Sequence, residues 1–430
     1  MSNRLGMGMA VGVAGLLVGA VVVASCSGET PPPPKPAPPP PVAPAPPPAP
    51  KVAPPGPLAT LIMVQSQSVN GKPGPAKMTL LRTDGTDWYP EVIEDPDSNV
   101  FHKGMPWKDG ILTIGAEKAM LKFWQRDGAK WKSTTLFEKS WGGKFDRLRD
   151  VEVGDVDNDG QDEIVLVTHD RGVVAVGEQG ADATWTWTEM DQKDDTFVHE
   201  VEIGDVDGDG KKEFYTTPSA RNRASGASQP GGVARYDARG GKYVRTDVFA
   251  WEESHAKEIL VVDTDADGKD ELYVAREGHV VKEGDKPVLK SPAAIVRAEP
   301  VNGGKKWVEV PVASLENEKQ CRFLVPGDVD GDGKIELVAA GMDTGLWLLD
   351  DAGAGQWKLS QIEADTGGFE HATDVADLNG DGKLEVYAAS EKKGTRVLRR
   401  YTLVDGAWKK EDVVPIPKLH ITWNLQDARL

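Results

Sequence analysis

Beyond residue 58 the apolar residues alternate with polar ones over short runs, and long helical periodicity is missing. Val151 and Val153, or Val201 and Ile203, stand at every second place, which turns one face of a strand toward a core. Each such run ends in an acidic turn, and a second apolar run follows, such as Ile164 to Val167 or Leu337 to Ala340. Strand, tight turn and strand predict a β-hairpin.

The hairpin recurs. Its acidic turn reads Asp155-Val-Asp157-Asn-Asp159-Gly160-Gln161-Asp-Glu163 and returns at Asp205–Glu213, Asp263–Glu271, Asp328–Glu336 and Asp377–Glu385. A second periodic mark is an aromatic residue with an apolar one five places later. It appears at Trp88/Ile93, Trp131/Leu136, Trp185/Met190, Tyr243/Val248, Trp307/Val312, Trp357/Ile362 and Trp408/Val413. Seven marks at spacings of roughly 43 to 65 residues predict an array of small β units. Units of four strands in an all-β chain predict a seven-bladed β-propeller. The first unit, from Leu58, lacks an inner strand, and His420 to Leu430 looks like an inner strand without outer ones. Their pairing would complete the seventh blade and leave no open sheet edge.

The acidic turns have the spacing of a calcium loop. Calcium takes six to eight oxygen ligands, and side chains at alternate loop positions converge when the chain wraps round the ion. The candidate ligands are Asp155, Asp157, Asp159 and Glu163; Asp205, Asp207, Asp209 and Glu213; Asp263, Asp265, Asp267 and Glu271; Asp328, Asp330, Asp332 and Glu336; and Asp377, Asn379, Asp381 and Glu385. Position seven adds a backbone carbonyl from Gln161, Lys211, Lys269, Lys334 or Lys383. Glycine at position six (Gly160, Gly210, Gly268, Gly333, Gly382) permits the bend. Position twelve carries no Glu and strands flank the loops, so these are not EF-hands. So many clustered acids repel one another without cations, and about five structural Ca²⁺ are expected; magnesium fits less well because it sheds water reluctantly. The alternative is a set of exposed acidic turns without metal.

These loops, preceded by Gly154, Gly204 or Gly327, resemble FG-GAP/VCBS-type repeats, the family that includes the integrin α-subunit propeller and many bacterial surface proteins. The resemblance covers roughly residues 100–390 and implies a calcium-stabilised propeller. The Phe-Gly and Gly-Ala-Pro pieces are not cleanly present, and the turn at Lys108-Asp109-Gly110 has lost its acids. Calcium therefore carries over to five blades, and an integrin-like mode of ligand binding does not.

Composition narrows the function classes. The formal charge of −18 argues against a nucleic-acid partner. Six places before each loop stands a basic residue: Arg149, His199, Lys257, Arg322 or His371, with His102 and His420 in comparable places elsewhere. If inner strands line the axis, these seven make a collar at the channel mouth. It would capture an anionic ligand or, through His102, His199, His371 and His420, a transition metal. The competing reading is a ring of salt bridges with Asp150, Glu152, Glu200, Glu202, Glu258 and Asp374. Two long insertions, 217–241 and 277–304, offer recognition loops. Cys321, next to Arg322, is expected to be a buried lone cysteine, the alternative being a reactive thiol.

The N-terminus reads as an address. Arg4, an apolar run from Met7 to Val23 and then Val23-Ala24-Ser25-Cys26 describe a secretory signal over residues 1–25. The tetrapeptide resembles the lipobox of bacterial lipoproteins, which implies lipidation of Cys26. Residues 26–57, mostly proline from Pro31 onward, form a stiff spacer of roughly 80 Å, and the propeller occupies 58–430. The expected location is the cell envelope, anchored by lipid, and the outer membrane if the cell has two. No zinc-protease helix, nucleophile elbow or phosphate loop occurs. The expected role is a surface binding or scaffold module for a glycan or protein partner; the alternative is a calcium-dependent, lyase-like enzyme acting on polysaccharide.

Overall fold

The computed structural model describes residues 53–54, 56–143, 146–353, 355–392 and 394–429. The expected signal segment, Cys26 and most of the proline tract lie outside them. Among the described residues there is no helix long and apolar enough to cross a membrane.

Every regular element described is a strand, and the strands form seven antiparallel blades. Six blades are continuous in sequence, with inner strands Phe101–Trp107, Leu148–Gly154, Thr196–Gly204, Ala256–Val262, Cys321–Gly327 and Thr373–Ala376. The remaining blade, the first, is built from both ends of the chain. Its inner strand His420–Arg429 pairs with Ala59–Val69, placing Leu61 opposite Asp427 and Met63 opposite Leu425. The closure expected from the sequence is present, and it removes the free edge that an open array would expose.

Second strands explain the unbroken apolar runs. Glu163–Thr168, Glu336–Gly341 and Glu385–Ser390 are buried at every position, because each is covered on both faces by neighbouring blades. Seven apolar clusters among the described residues each join two adjacent blades. The cluster of Leu61, Leu81, Tyr387 and Leu398 closes the ring between the last blade and the first. The aromatic marks open or nearly open the outermost strands, such as Trp185–Met190 and Trp357–Glu363. There they reach across to the preceding blade: Trp307 meets Tyr215 edge-on at 6.0 Å, Trp357 meets Tyr273 at 5.7 Å, and Trp88 meets Tyr387 at 6.2 Å.

The glycine before a loop has a packing reason. A Cβ at Gly204 would lie 2.4 Å from Val261 of the next inner strand, and one at Gly327 would lie 2.7 Å from Val375. The two insertions are partly taken up by strands. Residues 221–230 form a loop, and His279–Glu283 pairs with Lys286–Ser291 as an extra hairpin. Ser228 ties the two by donating to the Gly278 carbonyl and accepting from the Val280 amide.

Candidate functional site

The five acidic turns fold alike. Each links an inner strand to the second strand of its blade. In the first, the Gly160 amide donates to Asp155 Oδ2 at 3.0 Å and the Gln161 amide to Asp159 Oδ1 at 2.9 Å. The same bonds recur from Gly210, Gly268, Gly333 and Gly382 to their first aspartates. Backbone amides thus preorganise the carboxylates and turn their remaining lone pairs toward one point. Ligand atoms of Asp155, Asp157 and Glu163 lie within 4.8 Å of one another. So do those of Asp205, Asp207 and Glu213, of Asp263, Asp265 and Glu271, and of Asp328, Asp330, Asp332 and Glu336. Several acidic clusters therefore have the donor set for a metal ion.

The glutamate at position nine tests the fit. Glu163, Glu213, Glu336 and Glu385 are buried, and burial, with neighbouring aspartates adding, pushes each carboxyl up to about 7. Glu336 Oε1 is enclosed without a donor. A cation would satisfy an arrangement that protein groups leave open. The loops are not equivalent, however. In three blades the second strand carries a tyrosine opposite an arginine: Tyr215/Arg235, Tyr273/Arg297 and Tyr387/Arg400. Arg235 pairs with Asp207 at 2.7 Å and with Glu213 at 3.4 Å. The other two blades carry Val165/Val176 and Val338/Leu348 at those places, and their loops have no such arginine.

A second concentration of charge lies on the axis. Five inner strands slip register at or beside the collar residue: at His102, at Arg149, at His199 with Glu200, at Lys257 and at Arg322. A bulge re-aims its side chain, and His102, Arg149, Lys257 and Arg322 line a channel cavity of about 210 Å³. In the closing strand the bulged residue is Trp423, not His420. Trp423 stacks edge-on with His102 at 4.6 Å and lies 5.6 Å from the Arg149 guanidinium. His420 sits three places earlier, opposite Gln67. His371 is fully buried and its ring is held by the Gly341 carbonyl at 2.8 Å and Thr366 Oγ1 at 3.0 Å. His199 is buried with neither ring nitrogen hydrogen-bonded, against His169 and His255. The four named histidines are thus dispersed and do not share one centre.

Acids stand beside the collar, as the sequence indicated, together with two groups it did not reveal. Lys103 pairs with Asp150 at 2.8 Å and with Glu152, and Arg322 pairs with Glu370. Burial and mutual repulsion push Glu200, Glu202 and Glu258 well above the usual carboxylate range, and burial beside Asp427 takes Asp374 to about 8. Asp374 is then largely uncharged at neutral pH, Glu200, Glu202 and Glu258 are shifted in the same direction, and the cations Lys103, Arg149, Lys257 and Arg322 stand beside Asp150, Glu152 and Glu370. Arg149 and Lys257 make no ion pair among the described residues.

Comparison with known proteins bears on the loops. The sequence profile of the FG-GAP-like repeat matches residues 155–216 and 328–388, spans that contain four of the five acidic turns. This chain carries FG-GAP-like repeats. The unmatched turn, 263–271, departs from the others: Thr264 replaces the buried Val or Leu at position two and donates to Glu271 at 2.7 Å. No curated protein sequence matches the chain. Among solved structures, a Lactobacillus plantarum protein aligns at a TM-score of 0.56 with 12% identity, over 86% of this chain and 100% of its own. A Bacteroides uniformis protein, provisionally described as a 6-phosphogluconolactonase, aligns at 0.51 with 13% identity over 86% and 99%. Puromycin hydrolase aligns at 0.52 with 14% identity, over 84% of this chain and 54% of its own. At such identities these neighbours speak to the propeller fold alone.

Cys321, beside the FG-GAP-like hairpin of its blade, is buried and unpaired, and burial pushes its thiol well above the usual range. That fits the buried lone cysteine and not the reactive thiol.

Proposed function

We propose that this chain is a calcium-stabilised propeller serving as a binding module, in which the channel mouth takes an anionic group of a glycan or protein partner. In this reading calcium fills the five hairpin loops, and a lipid on Cys26 holds the module to the cell envelope, at the outer membrane where there are two. The calcium part is supported by the converging carboxylates of four loops and by the buried glutamates Glu163, Glu213, Glu336 and Glu385. Bound there, calcium would supply fixed positive charge that locks the hairpin; Asp155, Asp157, Asp159 and Glu163, with their counterparts, would hold it.

The observation that carries the binding role is the pair Arg149 and Lys257. Two cations at the rim of a ready-made cavity, with no ion-pair partner among the described residues, leave charge available to a ligand. Binding is the reading that these two cations support most directly.

The test is a screen of the full-length chain against acidic and neutral glycans, in calcium and again with chelator. Binding of acidic glycans that needs calcium and disappears in the double variant Arg149→Ala, Lys257→Ala supports the reading. Binding that survives that variant places the ligand elsewhere.

A further inference from the structure

The second blade has no acidic loop. Its inner strand turns back through Lys108 and Asp109 directly into Gly110–Gly115, and the missing loop changes what lies above its neighbour's outer strand. In three of the loop-bearing blades, the aromatic residue of the next blade packs on a tyrosine just past the loop: Trp307 on Tyr215, Trp357 on Tyr273, Trp88 on Tyr387. Trp185 instead meets Trp107, ring centres 6.2 Å apart and planes inclined at 53°. A cavity of about 550 Å³ opens there, walled by both indoles and floored by the 155–163 loop of the third blade.

We infer that this cavity is a carbohydrate subsite for a neutral pyranose, separate from the channel mouth. Both indoles are half-buried, so the rings are fixed by packing while part of each borders the cavity. Such surfaces suit the C–H faces of a sugar ring, as aromatic rings with a polar rim suit amphipathic ligands generally. The rim mixes hydrogen-bond donors and acceptors. Lys108 Nζ lies 4.0 Å above the Trp107 ring and donates to Gln179 Oε1 at 3.2 Å, and Gln161 and Glu178 complete the edge. Charge excludes the other class of sugar: Asp157, Asp159, Asp162, Glu163 and Glu178 face a single lysine, which disfavours uronates and sialosides even with one divalent ion in the loop. A volume of about 550 Å³ is in the range of small-molecule sites and leaves room for a pyranose ring.

The probes are glucose, galactose, mannose and N-acetylglucosamine with cellobiose, lactose and chitobiose, tested by saturation-transfer NMR and titration on the full-length chain in calcium. Ring protons of at least one sugar should receive saturation, with weak, saturable binding. Trp185→Ala and Trp107→Ala should weaken it at least about tenfold. Because either could disturb packing, Lys108→Ala and Glu178→Gln, both exposed and outside the calcium loop, serve as a second pair and should each cost at least about threefold with the melting midpoint unchanged. Arg149→Ala and Lys257→Ala should leave it intact, which separates this subsite from the channel mouth. No saturation from any probe, or affinity unaltered in all four cavity variants, overturns the inference while leaving the calcium and anion readings to their own tests.

Discussion

Ala266 holds φ +58 at the fourth place of its loop, where the others have Asn158 or glycine. A left-handed conformation costs an alanine about 1–2 kcal/mol, and glycine adopts it freely at some entropic cost. Ala266→Gly should therefore stabilise the fold by about 0.5–1 kcal/mol, read as a higher denaturant midpoint with unchanged slope. At the axis, Lys257 is a second residue with a directed consequence. Burial beside Arg322 lowers its ammonium to about 8. It is charged below that pH and neutral above it, so anion binding at the channel mouth should weaken as pH rises from 7 to 9. In Lys257→Arg, charged throughout, that loss should shrink to the part that ionisation of Asp374 contributes; a pH profile identical in both proteins would remove Lys257 from the site.

The hairpin is the element that repeats, and its loops divide into two kinds. Arg235 already neutralises Asp207 and Glu213, and Arg400 stands near Glu385, drawing its carboxyl down against burial. At 263–271 the tyrosine opposite Arg297 bonds Thr264, which also satisfies Glu271. Loops 155–163 and 328–336 have no arginine partner, and their glutamates rely on backbone amides such as those of Val156 and Val329. Calorimetric titration of the chelator-stripped chain with calcium should resolve two tighter sites followed by about three weaker ones. A single class of five equivalent sites would contradict this division. The hairpins themselves were legible in the sequence, because period-two alternation and a fixed acidic spacing are local properties of the chain. The collar was legible only in part. Its residue types follow from the sixth place before each loop, but where each side chain points depends on the bulge, a pairing property. Hence Trp423 takes the place at the rim in the closing strand, His371 turns into a buried carbonyl and hydroxyl pocket, and Lys103 and Glu370 were unforeseen.

At the scale of the molecule, the blades stand as a ring because each shares an apolar cluster with both neighbours and the last strand of the chain completes the first blade. Seven units and their closure were readable from two registers of repetition and from the complementary half-blades at the ends. The cavity at Trp107 and Trp185 was not readable, since it arises from what a missing loop leaves above an adjacent blade. If the loops hold ions in the folded chain alone, each filled site adds stability by mass action, about 2.7 kcal/mol at a hundredfold excess over its dissociation constant. The most direct test is calorimetric melting of the full-length chain in millimolar calcium and in excess chelator. Calcium-stabilised hairpins predict a midpoint lower by at least about 10 °C in chelator, restored when calcium is returned. An unchanged midpoint would contradict the account, leaving the loops as acidic turns that hold the propeller without metal.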